Sequence, residues 1–277
     1  QLERIIRMIK SHFNHFTADA EISCEIDPRH IDDAQMRVLS EAGFNRVSFG
    51  IQDFDEKVQV AVHRVQPYDI TKTAMDLARK YNMVSVNVDL IYGLPYQNLE
   101  TFKKTLDLAI SLNPDRFAVF NYAHVPWLKK TMRKIDETTL PHPSQKLAIM
   151  RYTIDHMESH GYKMIGMDHF AKPHDELFQA IDKGELHRNF QGYSTQPDCD
   201  IIALGVSAIG RVGANYNQNA KELEDYYDHL NHGRFPIIKG LALSKDDIVR
   251  RAVIMEIMCQ GRLDYESIEL AYLINFK

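Results

Sequence analysis

The chain is poor in cysteine, has a single tryptophan and carries no excess of positive charge. Its three cysteines, Cys24, Cys199 and Cys259, stand far apart, without the close spacing of a metal-ligating or redox pair. They read as reduced thiols of a cytoplasmic protein, which excludes a disulfide-stapled secreted scaffold. No apolar run approaches the roughly 20 residues of a transmembrane helix, and no signal-peptide pattern opens the sequence. A net charge of −5 argues against nucleic acid or an anionic membrane as the main partner. No glycine-rich phosphate loop is present, so a generic phosphate-binding barrel has little support. Low-complexity segments are absent too, which leaves an ordinary globular chain of about one to two domains.

What is there is a repeated alternation. In Ile22–Pro28 the residues Ser23, Glu25 and Asp27 share one parity and Ile22, Cys24 and Ile26 the other. In Val47–Gln52 the polar parity is Ser48, Gly50 and Gln52, and in Val86–Ile91 it is Asn87 and Asp89. Side chains alternate faces along a strand, so these segments read as strands with one polar and one apolar face. Helical periodicity follows each, at about Ile31–Ala42, Phe54–Val62 with Ile70–Tyr81, and from Asn98 through Leu99, Phe102, Leu106 and Ile110. Strand–helix alternation of this kind predicts parallel strands whose apolar parity is covered by helices. The polar parity then lines an interior that opens at the carboxyl ends of the strands, where such folds bind ligands. A fourth strand is expected at Arg116–Asn121.

Beyond Leu140-Pro141-His142-Pro143 the rhythm changes, and we expect domain divisions at residues 1–138, 139–240 and 241–277. A helix over Gln145–His160 is expected to bury Leu147, Met150, Ile154 and Met157, followed by a strand over Lys163–Met167. Residues 186–193 have no periodicity and read as an ordered loop. Ile201–Gly210, small and glycine-punctuated, suits close packing against a ligand. A helix opening at Ser244 is expected to bury Ile248, Val253, Ile254, Ile257 and Met258. The sequence starts within a helical stripe, Leu2–Ile9, and ends in an apolar stretch from Leu270, so an internal fragment is expected.

Six segments together resemble a known family. They are Cys24–Pro28, Gly50–Phe54, Asp89–Pro95, Val119–His124, Gly166–Phe170 and His187–Tyr193. Their combination is similar to the oxygen-independent coproporphyrinogen III oxidases, radical S-adenosylmethionine enzymes of haem biosynthesis. The resemblance implies a partial (β/α)6 radical-SAM barrel, here lacking its first two strands, then a mixed α+β region and the start of a small helical domain. It implies a [4Fe–4S] cluster and two molecules of S-adenosylmethionine. By the same resemblance Glu25, Ala123 and Ile209 contact the first molecule, while Gln52, Arg64 and Asp89 fix the second, with Phe190 and Gln191 nearby. The implied reaction converts two propionates of coproporphyrinogen III to vinyl groups through a 5′-deoxyadenosyl radical, with an external electron donor and acceptor. A cytoplasmic monomer is the expectation.

The family's cluster-binding Cys-x-x-x-Cys-x-x-Cys is not in this sequence, so no metal ligand is assigned, the cysteines are expected upstream of Gln1, and the chain alone is expected to be inactive. Bland readings stand beside the functional ones. Glu25 and Asp89 could pair with barrel cations, although convergence of polar parities favours a ligand. Arg64 could be a solvated helix-end cation, and Ala123 and Ile209 rest on the resemblance alone. Asp168 and His169, as neighbours on a strand, are expected to point to opposite faces. The sister family of haem-trafficking proteins is the alternative function. Its His-Asn-x-x-Tyr-Trp pattern differs from His187–Tyr193 here.

Overall fold

Alternating burial along three strands sets the architecture of the first part of the molecule. The computed structural model describes every residue except Asn14, Ala18 and Lys277, and packing divides the chain into two units, Gln1–Asp175 and Glu176–Lys277. The first unit begins with α1 (Leu2–His12) and β1 (Ser23–Ile26). Next come α2 (Asp33–Ala42), β2 (Arg46–Gln52), α3 (Glu56–Ala61), α4 (Tyr68–Lys80) and β3 (Ser85–Tyr92). It continues with α5 (Leu99–Ser111), β4 (Arg116–Asn121), α6 (Pro143–Ser159), β5 (Lys163–Gly166) and β6 (His169–Ala171). β1 to β4 lie side by side in chain order and are parallel, as the alternation predicts. The sheet then extends by β6, antiparallel to β4, and by β5, antiparallel to β6.

The apolar parities of the inner strands are sealed. Val47, Phe49 and Ile51 of β2 and Val86, Val88 and Leu90 of β3 are buried together with Met36, Phe102 and Phe117. Each such side chain removed from water stabilises the fold by about 1.5–3 kcal/mol. The covering helices have local stop and start signals. Asp32 accepts from the Gln35 amide in a capping box, and Gly43 ends α2 at φ +98°, a left-handed conformation that glycine adopts without strain. Asn98 caps α5 through a second capping box with Thr101.

The second unit comprises α7 (Glu176–Lys183), β7 (His187–Asn189), β8 (Gly192–Ser194), β9 (Ile209–Val212) and β10 (Asn215–Asn219). It closes with α8 (Leu223–Asn231), β11 (Ile237–Ala242), α9 (Lys245–Gln260) and α10 (Tyr265–Tyr272). β9, β10 and β11 form an antiparallel sheet with β10 in the middle. β7 and β8 form a hairpin whose two connecting residues are Phe190 and Gln191.

The packing division at Asp175 leaves β5 and β6 with the first sheet. Several expectations are corrected. Residues 187–194 are a hairpin, not a loop: each strand has only three residues, too few to display alternation. In α6 the buried side is Ile149, Thr153 and Met157, while Leu147 and Met150 are exposed. Ile70 of α4 is exposed, and Thr71, Ala74, Met75 and Ala78 face inward. In α9 Ile254 and Ile257 are exposed and Cys259 is the buried residue. Within Ile201–Gly210, Gly210 packs closely against the chain itself. A Cβ on Gly210 would meet Asn217 Oδ1 at 2.8 Å and the Ile201 carbonyl at 2.9 Å. No described helix is long and apolar enough to cross a membrane.

Candidate functional site

The polar parities of β1, β2 and β3 come together as the alternation predicts. Glu25 stands opposite Ser48, Ser48 opposite Asn87, and Gly50 opposite Asp89. The Asn87 amide donates to Asp89 Oδ1 at 2.7 Å and to Ser48 Oγ at 2.9 Å, and Ser48 Oγ donates to Asp89 Oδ2 at 3.2 Å. Burial pushes the Asp89 carboxyl up, against those two hydrogen bonds, and the nearby Glu25 charge pushes it further. His169 acts in the opposite direction. Glu25 itself is exposed and makes no side-chain hydrogen bond or ion pair among the described residues.

Beside this group the end of β2 is distorted. Pairing with β3 skips a residue between Gly50 and Gln52, and Gln52 takes φ +71°, an unusual conformation for a side chain of its size. The Gln52 amide folds back over Gly50, where a Cβ would lie 2.9 Å from Nε2 and 3.5 Å from Arg64 Nη2. Arg64 donates to Asp27 Oδ2 at 3.1 Å and to the Gly50 carbonyl at 2.8 Å. Asp27 is held by Arg29 as well, through a 2.6 Å contact, and its carboxyl lies well below the usual range because of the Arg29 and Arg64 guanidinium groups. Two polar atoms here are buried without a partner, Gln52 Oε1 and Arg64 Nε. An orphaned acceptor and an orphaned donor at one strand end are what a polar ligand satisfies.

The next turn fastens this edge. Asp53 is 1% exposed and accepts from the Asp55 amide at 2.6 Å and Thr105 Oγ1 at 2.8 Å, with Gln97 Nε2 on its other oxygen. Gln97 also donates to the Ile91 carbonyl at 2.8 Å, so the β2 and β3 carboxyl ends share one hydrogen-bonded knot. Burial pushes Asp53 up to about 6.

Of the remaining candidates, Ala123 is an exposed residue in the segment after β4. Phe190, Gln191 and Ile209 lie in the second unit. Phe190 meets Tyr216 edge to face at 5.3 Å, the Gln191 amide donates to Asn189 Oδ1 at 2.8 Å, and Ile209 opens β9. Asp168 and His169 do not point apart: His169 Nδ1 and Asp168 Oδ1 are 2.8 Å apart. Met167, at φ +48°, turns the chain before them, so strand parity does not apply. Two contributors escaped sequence reasoning in these roles: Asp27, as the anchor of Arg64, and His169, as a neighbour acting on Asp89. Only the shared parity of Asp27 with Glu25 offered a signal.

No group of three or more His, Cys, Asp or Glu among the described residues is placed to hold a metal ion. The described residues bring together no thiolate set for a [4Fe–4S] cluster, whereas the orphaned Gln52 and Arg64 atoms with Glu25 and Asp89 suit S-adenosylmethionine.

The fold is a radical S-adenosylmethionine scaffold, and residues 1–109 match the Radical SAM superfamily. A solved coproporphyrinogen III oxidase from Escherichia coli, described as a radical SAM enzyme, superimposes with a TM-score of 0.96 at 46% identity, over 99% of this chain and 63% of its own. The oxygen-independent coproporphyrinogen III oxidase of Helicobacter pylori (strain J99) is 51% identical over 277 residues, all of this chain. Its counterpart in Thermostichus vulcanus is 46% identical over 261 residues, 94% of this chain and 80% of the relative. The chain belongs to the oxygen-independent coproporphyrinogen III oxidase family. It spans 61% of the length of the Helicobacter relative.

Proposed function

We propose that the protein carrying this chain converts two propionate side chains of coproporphyrinogen III to vinyl groups, giving protoporphyrinogen IX and two CO2. The observation that carries this reading is identity along the whole chain to enzymes of that name, 51% with the Helicobacter relative. The strand-end cluster supports it. Exposed Glu25 is free to accept from an ammonium group or ribose hydroxyls of a first S-adenosylmethionine, to which Ala123 and Ile209 are assigned by the family resemblance alone. Gln52 Oε1 and Arg64 Nε are the orphaned atoms that a second molecule would satisfy, with Asp89 as its acid; Phe190 and Gln191 are assigned to it by the resemblance alone. Bound S-adenosylmethionine supplies the hydrogen-abstracting radical, and the chain's contribution is to orient it and exclude water. The cluster is not built from Cys24, Cys199 and Cys259. An external electron donor and acceptor, a cytoplasmic location and a monomeric state complete the proposal; the free thiols of Cys24, Cys199 and Cys259 suit the location.

The test is anaerobic product analysis of the intact protein with coproporphyrinogen III, S-adenosylmethionine and a reductant. Formation of protoporphyrinogen IX is expected. Stoichiometric tight haem binding with no conversion would instead identify a haem-trafficking protein.

A further inference from the structure

The second unit contains a cavity of about 430 Å3, which shares only Phe190 with the proposed cofactor contacts. Its charged lining is Arg188, Arg211 and Arg251 against a single acid, Asp198. Arg211 Nη1 lies 2.5 Å from Asp198 Oδ1, and Arg251 pairs with the same oxygen. One carboxylate thus serves two guanidinium groups. The third, Arg188, makes no ion pair among the described residues. It lies over the Tyr193 ring, 5.1 Å from the centroid. Arg188 Nη1 and Arg251 Nε are both buried without a partner. The edge-to-face pair Phe190 and Tyr216 supplies an aromatic wall.

A half-enclosed site with surplus guanidinium charge and orphaned donors recruits an anion, and guanidinium groups favour a carboxylate through paired hydrogen bonds. The aromatic wall adds a flat apolar surface for the rest of the molecule. We propose that this cavity binds an organic carboxylate, a propionate arm of the tetrapyrrole substrate. Arg188 is the principal contact, and Asp198 holds Arg211 and Arg251 in place behind it. The alternative carboxylate source, the methionyl end of S-adenosylmethionine, is disfavoured by charge, because its sulfonium and ammonium groups leave that molecule net positive. The choice of tetrapyrrole rests on the proposed function.

The test uses the intact protein and its Arg188→Ala and Arg188→Lys variants. Coproporphyrin III, the stable aromatic relative of the substrate, and its tetramethyl ester are titrated by fluorescence anisotropy, and S-adenosylmethionine by equilibrium dialysis. Losing a charged hydrogen bond to a carboxylate corresponds to at least about tenfold in affinity. We expect Arg188→Ala to weaken coproporphyrin III by that factor, with Arg188→Lys intermediate, and to leave ester binding equal to wild type. Weakened S-adenosylmethionine with unchanged coproporphyrin III would keep the carboxylate site and assign it to the methionyl group. No weakening of either ligand overturns the proposal. If the wild type binds no coproporphyrin III, the proposed function fails, and the S-adenosylmethionine titration alone decides the cavity. Should Arg188→Ala not fold, the comparison of acid with ester on wild type and Arg188→Lys decides.

Discussion

Arg64 is anchored to Asp27, its Nη1 donating to Oδ2 at 3.1 Å, while its Nη2 donates to the Gly50 carbonyl at 2.8 Å. A guanidinium can hold both acceptors and still present a third edge, and here the unpartnered Nε is that edge. An ammonium has no comparable fixed geometry. Arg64→Lys in the intact protein should therefore weaken S-adenosylmethionine binding by about tenfold or more, with about 1–3 kcal/mol lost in stability. Equilibrium dialysis and urea midpoints measure the two. Wild-type affinity in the lysine variant would remove Arg64 from the cofactor site.

Gly50 tests the same corner without touching a charge. A Cβ there would stand 2.9 Å from Gln52 Nε2, closer than real contacts allow, so the amide must swing away. The obstacle is the far end of a flexible side chain, which makes the folding cost small. Gly50→Ala should raise the S-adenosylmethionine KM severalfold while the melting temperature moves by only a few degrees. A large melting shift with unchanged KM would show that Gln52 is structural.

Asp53 gives a pH signature in stability. Its ordinary value of 3.8 is pushed up to about 6 by burial. Between those values the folded protein keeps a proton that the unfolded chain has lost. The contribution is fully present below about pH 4 and is lost as pH rises through 6, by about 3 kcal/mol in all. Asp53→Asn should remove this slope while lowering stability overall, because Asn places a donor against Gln97. The difference in unfolding free energy between the two proteins, followed from pH 4 to 7.5, measures it. Parallel curves would mean that Asp53 is ionised when folded.

Much of this was legible beforehand because period-2 alternation survives folding when one face is buried. Glu25, Ser48, Asn87 and Asp89 needed only parity and strand order to be brought together. Asn98 announced a helix start by residue type. What escaped was set by contacts distant in sequence. Gln52 lies past a skipped pairing that no alternation reveals, and Asp27 holds an arginine 37 residues away. His169 and Asp168 meet because Met167 turns the chain, and the buried side of α6 is chosen by the sheet, not by its most apolar stripe. The hairpin that carries Phe190 and Gln191 is too short to show a period.

The cysteines carry a prediction of their own. Cluster iron needs thiolates gathered at one site. Burial and the Glu25 charge push the Cys24 thiol up, and burial pushes Cys259 up. Cys199 is exposed. After anaerobic reconstitution with iron and sulfide, the 277-residue chain should show no stoichiometric cluster absorbance and form no 5′-deoxyadenosine. Detecting both would mean that a cluster is built here from residues given no such role.

The central claim is that the polar parity of β1–β3 is a cofactor site and not a structural network. Asp89→Ala and Gln52→Ala decide it most directly, each measured in the intact protein for S-adenosylmethionine turnover and for melting temperature. A structural network predicts the two losses together. The cofactor reading predicts turnover reduced by about tenfold or more at a nearly unchanged melting temperature. Unchanged turnover in both variants would contradict it.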